Sequence, residues 1–196
     1  MLKVGLIIGS TRPNRFADKV KPWLVEAVAL RRDLTADVLD LREVDLPFLR
    51  EPIPPGVSGG VFSDPKAQEW GRRLEPLDAF VAVTPEYNHG PNAALKNALD
   101  SAYLEWQRKP IAFVGYGGVG AARGIETLRG VVIELQMAPM RYEVNIGAEA
   151  FSRVWRGENS LNDFPYLARS RDAMLDNLVW WARALKTARQ ATAAAA

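Results

Sequence analysis

Two short stretches concentrate the side chains capable of chemistry. Gly9-Ser-Thr-Arg-Pro-Asn-Arg15 follows the apolar run Leu2–Ile8, and Thr84-Pro-Glu-Tyr-Asn-His-Gly90 closes the apolar run that begins at Ala79. In the first stretch, hydroxyls, backbone N–H groups and arginines would meet an anion at a helix start, where donors are unpaired and the dipole is positive. Ser10, Thr11, Arg12, Asn14 and Arg15 are therefore expected to cradle a phosphate, the plainer alternative being that Ser10 or Thr11 caps the helix. In the second, Pro85 is rigid, Tyr87 offers an aromatic face, Asn88 an amide, and Gly90 conformational freedom. Such a set can lie flat against a heteroaromatic ring and hydrogen-bond its edge; the alternative is an ordinary turn with Asn88 and Gly90 at special φ. Glu86 is expected to orient neighbours or face solvent. Together the two stretches ask for a phosphorylated ring cofactor.

The elements that must hold these residues are legible from periodicity. Five apolar, β-rich runs (Leu2–Ile8, Leu34–Leu39, Ala79–Thr84, Ile111–Tyr116 and Met140–Val144) alternate with helical patterns. That alternation implies a three-layer α/β sandwich around a five-stranded parallel sheet of order 2-1-3-4-5, flavodoxin-like in topology. Its switch point lies between strands one and three, so the two loops carrying the chemistry converge on one crevice. Helical stripes read as Leu95, Ala98, Leu99, Ala102, Tyr103 and Trp106, then Ala122, Ile125, Leu128, Val132 and Leu135, and last Met174, Leu175, Leu178, Ala182 and Leu185 between Leu167 and Ala188. Pro22 interrupts the first helical pattern and predicts a kink there or a start later than Asn14. Arg50–Gly60 reads as a proline- and glycine-rich loop, and Glu149–Pro165 as irregular, anchored by Phe151, Trp155 and Phe164. One domain over residues 1–190 is expected, with a low-complexity, disordered tail at 191–196 that begins to fray near Thr187.

Gly9-Ser-Thr-Arg12, Pro85-Glu-Tyr-Asn88 and Ala94-Leu-Lys-Asn-Ala-Leu-Asp100, in this order, resemble the NADPH-dependent FMN reductase family over roughly residues 2 to 145. The resemblance implies FMN as cofactor and NADPH or NADH as co-substrate. It also implies that Ser10, Arg12, Arg15 and Phe16 take phosphate-loop positions, while Pro85, Glu86, Tyr87 and Asn88 address the ring. Gly115-Tyr-Gly-Gly-Val-Gly120 matches G-x-G-x-x-G, yet it follows the fourth strand and lacks a well-placed acidic partner. Tyr116, Gly117 and Gly118 are read instead as a backbone wall beside the flavin.

Other chemistries are excluded on composition and context. The chain has no cysteine and a single histidine, His89, which leaves no thiolate nucleophile and no multi-histidine metal site. As the lone histidine, His89 is the natural candidate for a proton donor, but hydride transfer to flavin needs no obligatory acid, so no catalytic residue is assigned to the chain. Gly56-Val-Ser-Gly-Gly60 matches the nucleophile elbow but sits in a proline-rich loop without a strand-turn-helix around it. No Walker lysine motif is present. The net charge of +2 is too balanced to call for nucleic acid, although a basic rim would attract a pyridine nucleotide. No run is long enough for a membrane span, nothing at the N-terminus reads as a targeting segment, and a reducing cytoplasm suits the composition.

The function expected is an FMN-dependent oxidoreductase. It would pass a hydride from NAD(P)H through bound FMN to a small acceptor (quinone, flavin, azo compound or oxidised metal anion) by a ping-pong mechanism. The rivals are a flavodoxin-type electron carrier, disfavoured by the basic charge and arginine-bearing loop, and a flavin-binding interaction protein. Adjacent Trp180 and Trp181, with Tyr103 and Trp106, exceed what the core stripes need and point to a homodimer or homotetramer.

Overall fold

The computed structural model describes residues 1–194. Its elements are β1 (Leu2–Ile8), α1 (Ala17–Ala29), β2 (Leu34–Asp40), α2 (Leu41–Val44), α3 (Pro65–Leu74), β3 (Ala79–Tyr87), β4 (Gly90–Pro91), α4 (Ala93–Asp100), β5 (Pro110–Tyr116), α5 (Ala122–Glu134), β6 (Ala138–Pro139), β7 (Val144–Ile146), α6 (Ala148–Trp155) and α7 (Pro165–Ala194). The sheet runs β2-β1-β3-β5 and is closed by two short pieces, β6 and β7, both paired with β5. All these pairings are parallel; β4 adds only an antiparallel flap to the end of β3. Counting β6 and β7 as one interrupted strand, this is the flavodoxin-like order 2-1-3-4-5.

Alternation along each strand divides the core between two faces. Val4, Leu6 and Ile8 of β1 and Val81 and Val83 of β3 pack with α1, α6 and α7. Ile7, Phe80, Ala82 and Phe113 point the other way, into α3, α4 and α5. Nearly every one of these side chains is fully out of water, which is why the strands read as continuous apolar runs.

Local differences from the sequence reading have identifiable causes. The expected fifth strand, Met140–Val144, is broken because Arg129 of α5 donates to the carbonyls of Met140 (2.6 Å) and Arg141 (3.4 Å) and binds Glu143 (2.5 Å). The helix α1 starts at Ala17, so Pro22 costs only a first-turn carbonyl, that of Asp18, and sits on the exposed face. The stripe Leu95–Trp106 is not one helix: α4 stops at Asp100 and a 3₁₀ turn covers Leu104–Trp106. Two buried indoles take up its last carbonyls, Trp70 Nε1–H to Ala98 at 2.8 Å and Trp106 Nε1–H to Leu99 at 2.9 Å. Trp106, edge-on to Phe80 at 4.8 Å, is core rather than spare surface. The segment expected to be irregular after Glu149 contains α6 and a 3₁₀ turn with a Ser160/Asp163 capping box. Finally, α7 carries its helix through Ala194, past the point where fraying was expected; residues 195–196 of the expected tail lie outside the described residues.

Candidate functional site

Register brings the loops to one level. Asp40, Ile8, Val83, Val114 and Val144 form a single row across the sheet, so the segments following β1, β3 and β5 leave it side by side. The loops after β1 and β3 are then tied together. Asn92, buried at the start of α4, donates to the Gly9 carbonyl at 2.6 Å and lies 3.4 Å from the Thr84 hydroxyl. A Cβ on Gly9 would sit 2.8 Å from the Val83 carbonyl and 3.0 Å from the Asn92 amide oxygen, so only glycine permits the approach.

The first loop owes its shape to Arg15. Its guanidinium is buried and donates to both oxygens of Asp40 (2.7 and 2.5 Å), to Asp18 (2.9 Å) and to the Ser10 carbonyl (2.5 Å). Asp40 also accepts from Lys21 and from the Arg42 N–H that opens α2. Burial alone would raise the Asp40 carboxyl, but Arg15 and Lys21 outweigh it and hold it below the usual carboxylate range. The loop turns at Asn14, with φ of 49°. No side chain caps α1, so neither Ser10 nor Thr11 is engaged there. Arg15 therefore organises the loop, and Arg12 is its uncommitted cation: exposed, without an ion pair among the described residues, 5.9 Å from the Tyr87 ring centroid.

A cleft of about 400 Å³ opens between these loops, within the range of small-molecule sites. Ser10, Arg12, Asn14 and Phe16 line one wall, with an edge of Arg15; Pro85, Glu86 and Tyr87 line a second, and Tyr116, Gly117 and Gly118 a third. Ser10 and Tyr87 meet across it, hydroxyl to hydroxyl, at 3.5 Å. Two residues predicted from sequence are not in the lining. Thr11 faces a separate depression of about 430 Å³ beside Leu41 and Phe48. Asn88 is exposed, because Asn88 (φ 51°) and His89 (φ 68°) are the two central residues of the β3–β4 hairpin, whose right-handed strand twist demands positive φ at both. Asn88 takes the special φ that the ordinary-turn alternative required, and His89 sits at an exposed tip.

Glu86 keeps its backbone at the cleft and turns its side chain away. Its carboxylate accepts from the Arg123 and Gly124 N–H groups (3.1 and 3.3 Å) that start α5 and pairs with the Arg123 guanidinium. Burial opposes its charge, but these donors prevail and hold Glu86 below the usual carboxylate range. The glycine motif divides likewise. A Cβ on Gly115 would run into the Gly120 carbonyl, and one on Gly120 (φ 62°) would meet Asn145 at 2.6 Å, so both serve packing of the turn. A Cβ on Gly117 or Gly118 would meet nothing, which leaves that stretch as an open backbone wall. Between them lies Tyr116, whose buried hydroxyl makes no hydrogen bond of full geometry; Ser10 approaches it only weakly. Burial raises its pKa above the ordinary phenol value, so it stays protonated.

Phe151 and Trp155 complete the lining; sequence reading saw them as anchors of an irregular segment. Their spacing of four residues was the available signal for one helical face. Phe16, Phe151 and Trp155 form an aromatic group, with centroids 4.6 Å (Phe16–Phe151), 5.9 Å (Phe151–Trp155) and 6.2 Å (Phe16–Trp155) apart. Among the described residues no cluster of three or more His, Cys, Asp or Glu could hold a metal ion, and no helix is long and apolar enough to cross a membrane.

Comparison with known proteins gives a concordant picture. The family model for NADPH-dependent FMN reductase matches residues 2–150. An NAD(P)H-dependent FMN reductase of Saccharomyces cerevisiae is 36% identical over 145 residues, 69% of this chain and 76% of the yeast one. A 2-hydroxy-1,4-benzoquinone reductase of a Burkholderia species is 30% identical over 148 residues, 71% of this chain and 74% of its own. The solved structure of a flavoenzyme NAD(P)H:(acceptor) oxidoreductase from Paracoccus denitrificans superposes with a TM-score of 0.72 over 93% of this chain and 98% of that one. At 24% identity it shows the shared fold.

The Arg15–Asp40 pair makes a testable demand. Arg15→Met leaves the buried Asp40 carboxylate with Lys21 as its one cationic partner beside the Arg42 N–H, and should cost about 3 kcal/mol, the low end for breaking a buried pair. A carboxyl whose folded pKa is depressed contributes stability that is complete above its unfolded value, about 3.9, and is lost as pH falls through the folded value. Urea unfolding between neutral and acid pH should show a shallower acid loss in Arg15→Met than in the unmodified protein. Parallel acid limbs would mean that the pair does not set the stability of this loop.

Proposed function

The chain belongs to the NADPH-dependent FMN reductase family, and we propose that the cleft between the β1, β3 and β5 loops is its FMN site. The observation that carries this reading is the Tyr116 hydroxyl, buried against the cleft and without a hydrogen bond of full geometry, since Ser10 approaches it only weakly. An unpartnered buried polar group costs about 1–3 kcal/mol, a penalty that a polar ligand in the cleft relieves. The free Arg12 and the uncapped start of α1 favour a phosphate on the first wall. Tyr87 and the bare Gly117–Gly118 backbone suit a flat ring that must come close.

When bound, FMN supplies the two-electron chemistry, so that NAD(P)H and a proton together reduce a small acceptor. The protein's residues contribute position. Glu86 locks the β3 loop to the start of α5, Asn92 locks it to Gly9, and Arg15 fixes the loop that presents Arg12. Holding reactants in a fixed geometry can supply several orders of magnitude without an acid–base side chain. His89, at the hairpin tip, is given no part. One cleft serves donor and acceptor in turn, which is the basis for ping-pong kinetics. The assembly we propose is a homodimer or homotetramer, for which exposed Trp180 and Trp181, packed edge to face at 5.4 Å, supply apolar surface.

Three measurements bear on this. FMN should bind in preference to riboflavin, and Arg12→Ala should weaken FMN by about 1.5–3 kcal/mol, the range for a hydrogen bond to a charged group. Tyr116→Phe should leave the stability of the FMN-free protein equal or higher while weakening FMN; unchanged FMN affinity in both variants, read by flavin fluorescence titration, would overturn the site. Anaerobic NADPH should bleach the bound flavin before any acceptor is added, steady-state double-reciprocal plots should be parallel, and His89→Ala should retain the bleaching rate. A flavin that NADPH fails to bleach would favour the electron-carrier reading. Light scattering should report a multiple of 21.7 kDa; a fully active single chain would refute the assembly.

A further inference from the structure

Helix α7 buries Met174, Leu178 and Ala182 in the core, and its opposite side is open to water. On that side Tyr166, Ala173, Trp180, Ala184, Thr187 and Ala191 fall in line at about 3.6 residues per turn, over about 38 Å. All six are exposed and none is charged. The solvent face of a surface helix ordinarily carries charged and polar side chains. Here its centre is Trp180, 64% exposed, with Trp181 packed edge-on against it at 5.4 Å. Ala173 and Ala184, on either side of Trp180 along the stripe, are small enough to let a second helix approach to the usual distance of about 8–10 Å.

Charge says which occupant fits and in which direction. Asp176 and Arg183 stand seven residues apart, and so on the same flank of the stripe. Asp176 meets Arg31 at 2.6 Å and Arg183 lies 3.7 Å from Asp33, yet their side chains stay 69% and 64% exposed. A copy of the helix laid parallel would set Asp176 against Asp176 and Arg183 against Arg183. A two-fold axis crossing the helix beside Trp180 reverses the copy and keeps each flank on its own side. Each Asp176 then faces the copy's Arg183, twice per pair, because the two residues lie almost equally far from Trp180. Arg169, the other charge on this side, comes opposite the uncharged Gln190 and Ala191 of the copy, so no like charges meet.

We propose that a second copy of this chain docks on α7, the two helices antiparallel about a two-fold axis beside Trp180. This rests on the homo-oligomer reading above and deepens it by naming the surface, the register and the charges that set it. Among the described residues none of α7 lines the cleft, so the contact leaves the flavin site open.

Analytical ultracentrifugation with FMN added should give a multiple of 21.7 kDa for the unmodified protein. Trp180→Glu should halve that mass, with the circular dichroism spectrum and flavin reduction by NADPH unchanged. Asp176→Arg and Arg183→Asp should each raise the dissociation constant of the pair by about 2- to 30-fold, the scale of two exposed ion pairs. The double variant should restore it. That rescue is specific to the contact between copies, since the double variant still loses the pairings with Arg31 and Asp33 inside each chain. The chain has no cysteine, so Asn177→Cys and Ala184→Cys, mixed and treated with a short bis-maleimide, report direction: antiparallel helices link one site to the other, parallel helices link each site to itself. Full mass retained by Trp180→Glu, a double variant no tighter than the single ones, or an excess of self-links overturns the proposal and leaves the homo-oligomer reading standing. An unmodified protein that sediments as a single chain sinks both.

Discussion

Arg15 gives up its hydration to sit among Asp40, Asp18 and the Ser10 carbonyl, and the shape of the cleft follows from that placement. A guanidinium out of water is tolerable only where its donors are met, and here two carboxylates and a backbone carbonyl meet them with bidentate geometry on Asp40. Because Asp40 is the last residue of β2 and also the N-cap of α2, one ion pair joins the first loop, the edge strand and the next helix. The loop is held from below by its own arginine. That leaves the other arginine, Arg12, at the surface with its charge uncommitted.

Backbone and side-chain polar groups are matched in the same way on the other two walls. Glu86 offers a carboxylate to the open N–H groups of α5, where negative charge is favoured by the helix dipole, and so turns β3's exit loop into a fixed wall. The glycines of the β5 loop fall into two groups. Gly115 and Gly120 allow backbone to touch backbone, while Gly117 and Gly118 leave space on the side of the cleft. A motif that in isolation reads as a dinucleotide fingerprint is here a packing device plus an open face. Position in the sheet, after β5 rather than at the first βα turn, decides between the two.

The cleft is therefore asymmetric in chemistry. Arg12 lies near the Tyr87 ring, and an aromatic stack from α6 packs on Phe16. Tyr116 lines the same cleft with a protonated hydroxyl that makes no hydrogen bond of full geometry, Ser10 offering it a weak approach at most. Such a lining, with one uncommitted cation and several aromatic faces, suits a molecule with an anionic group and a flat ring.

The sequence by itself determined the fold class, the four main strands and the loops that carry chemistry, because buried parallel strands must be continuous apolar runs and their helices must keep a 3.6-residue period. Ten of the twelve cofactor residues expected from sequence line the cleft, all but Thr11 and Asn88. What composition and spacing leave open is how each polar side chain divides its hydrogen bonds, since that depends on partners distant in the chain. Arg15 reads like a second phosphate ligand until Asp40, 25 residues away, claims it. Glu86 reads as orienting neighbours or facing solvent, and which of the two is decided only by Arg123, 37 residues on, whose N–H and guanidinium it binds at the start of α5. Asn88 reads as a ring contact from its motif, and the hairpin register adds that it sits at the turn, outside the cleft lining. Trp106 reads as spare until α4 ends early and needs its indole. Phe151 and Trp155 enter the site only because β7 returns the chain to the cleft, so that α6 packs its aromatics on Phe16, 135 and 139 residues earlier in the sequence. Periodicity reports which side of an element is dry; only the packed structure decides which buried charge meets which, because that pairing is long-range and the desolvation it must offset exists only once the layers have closed.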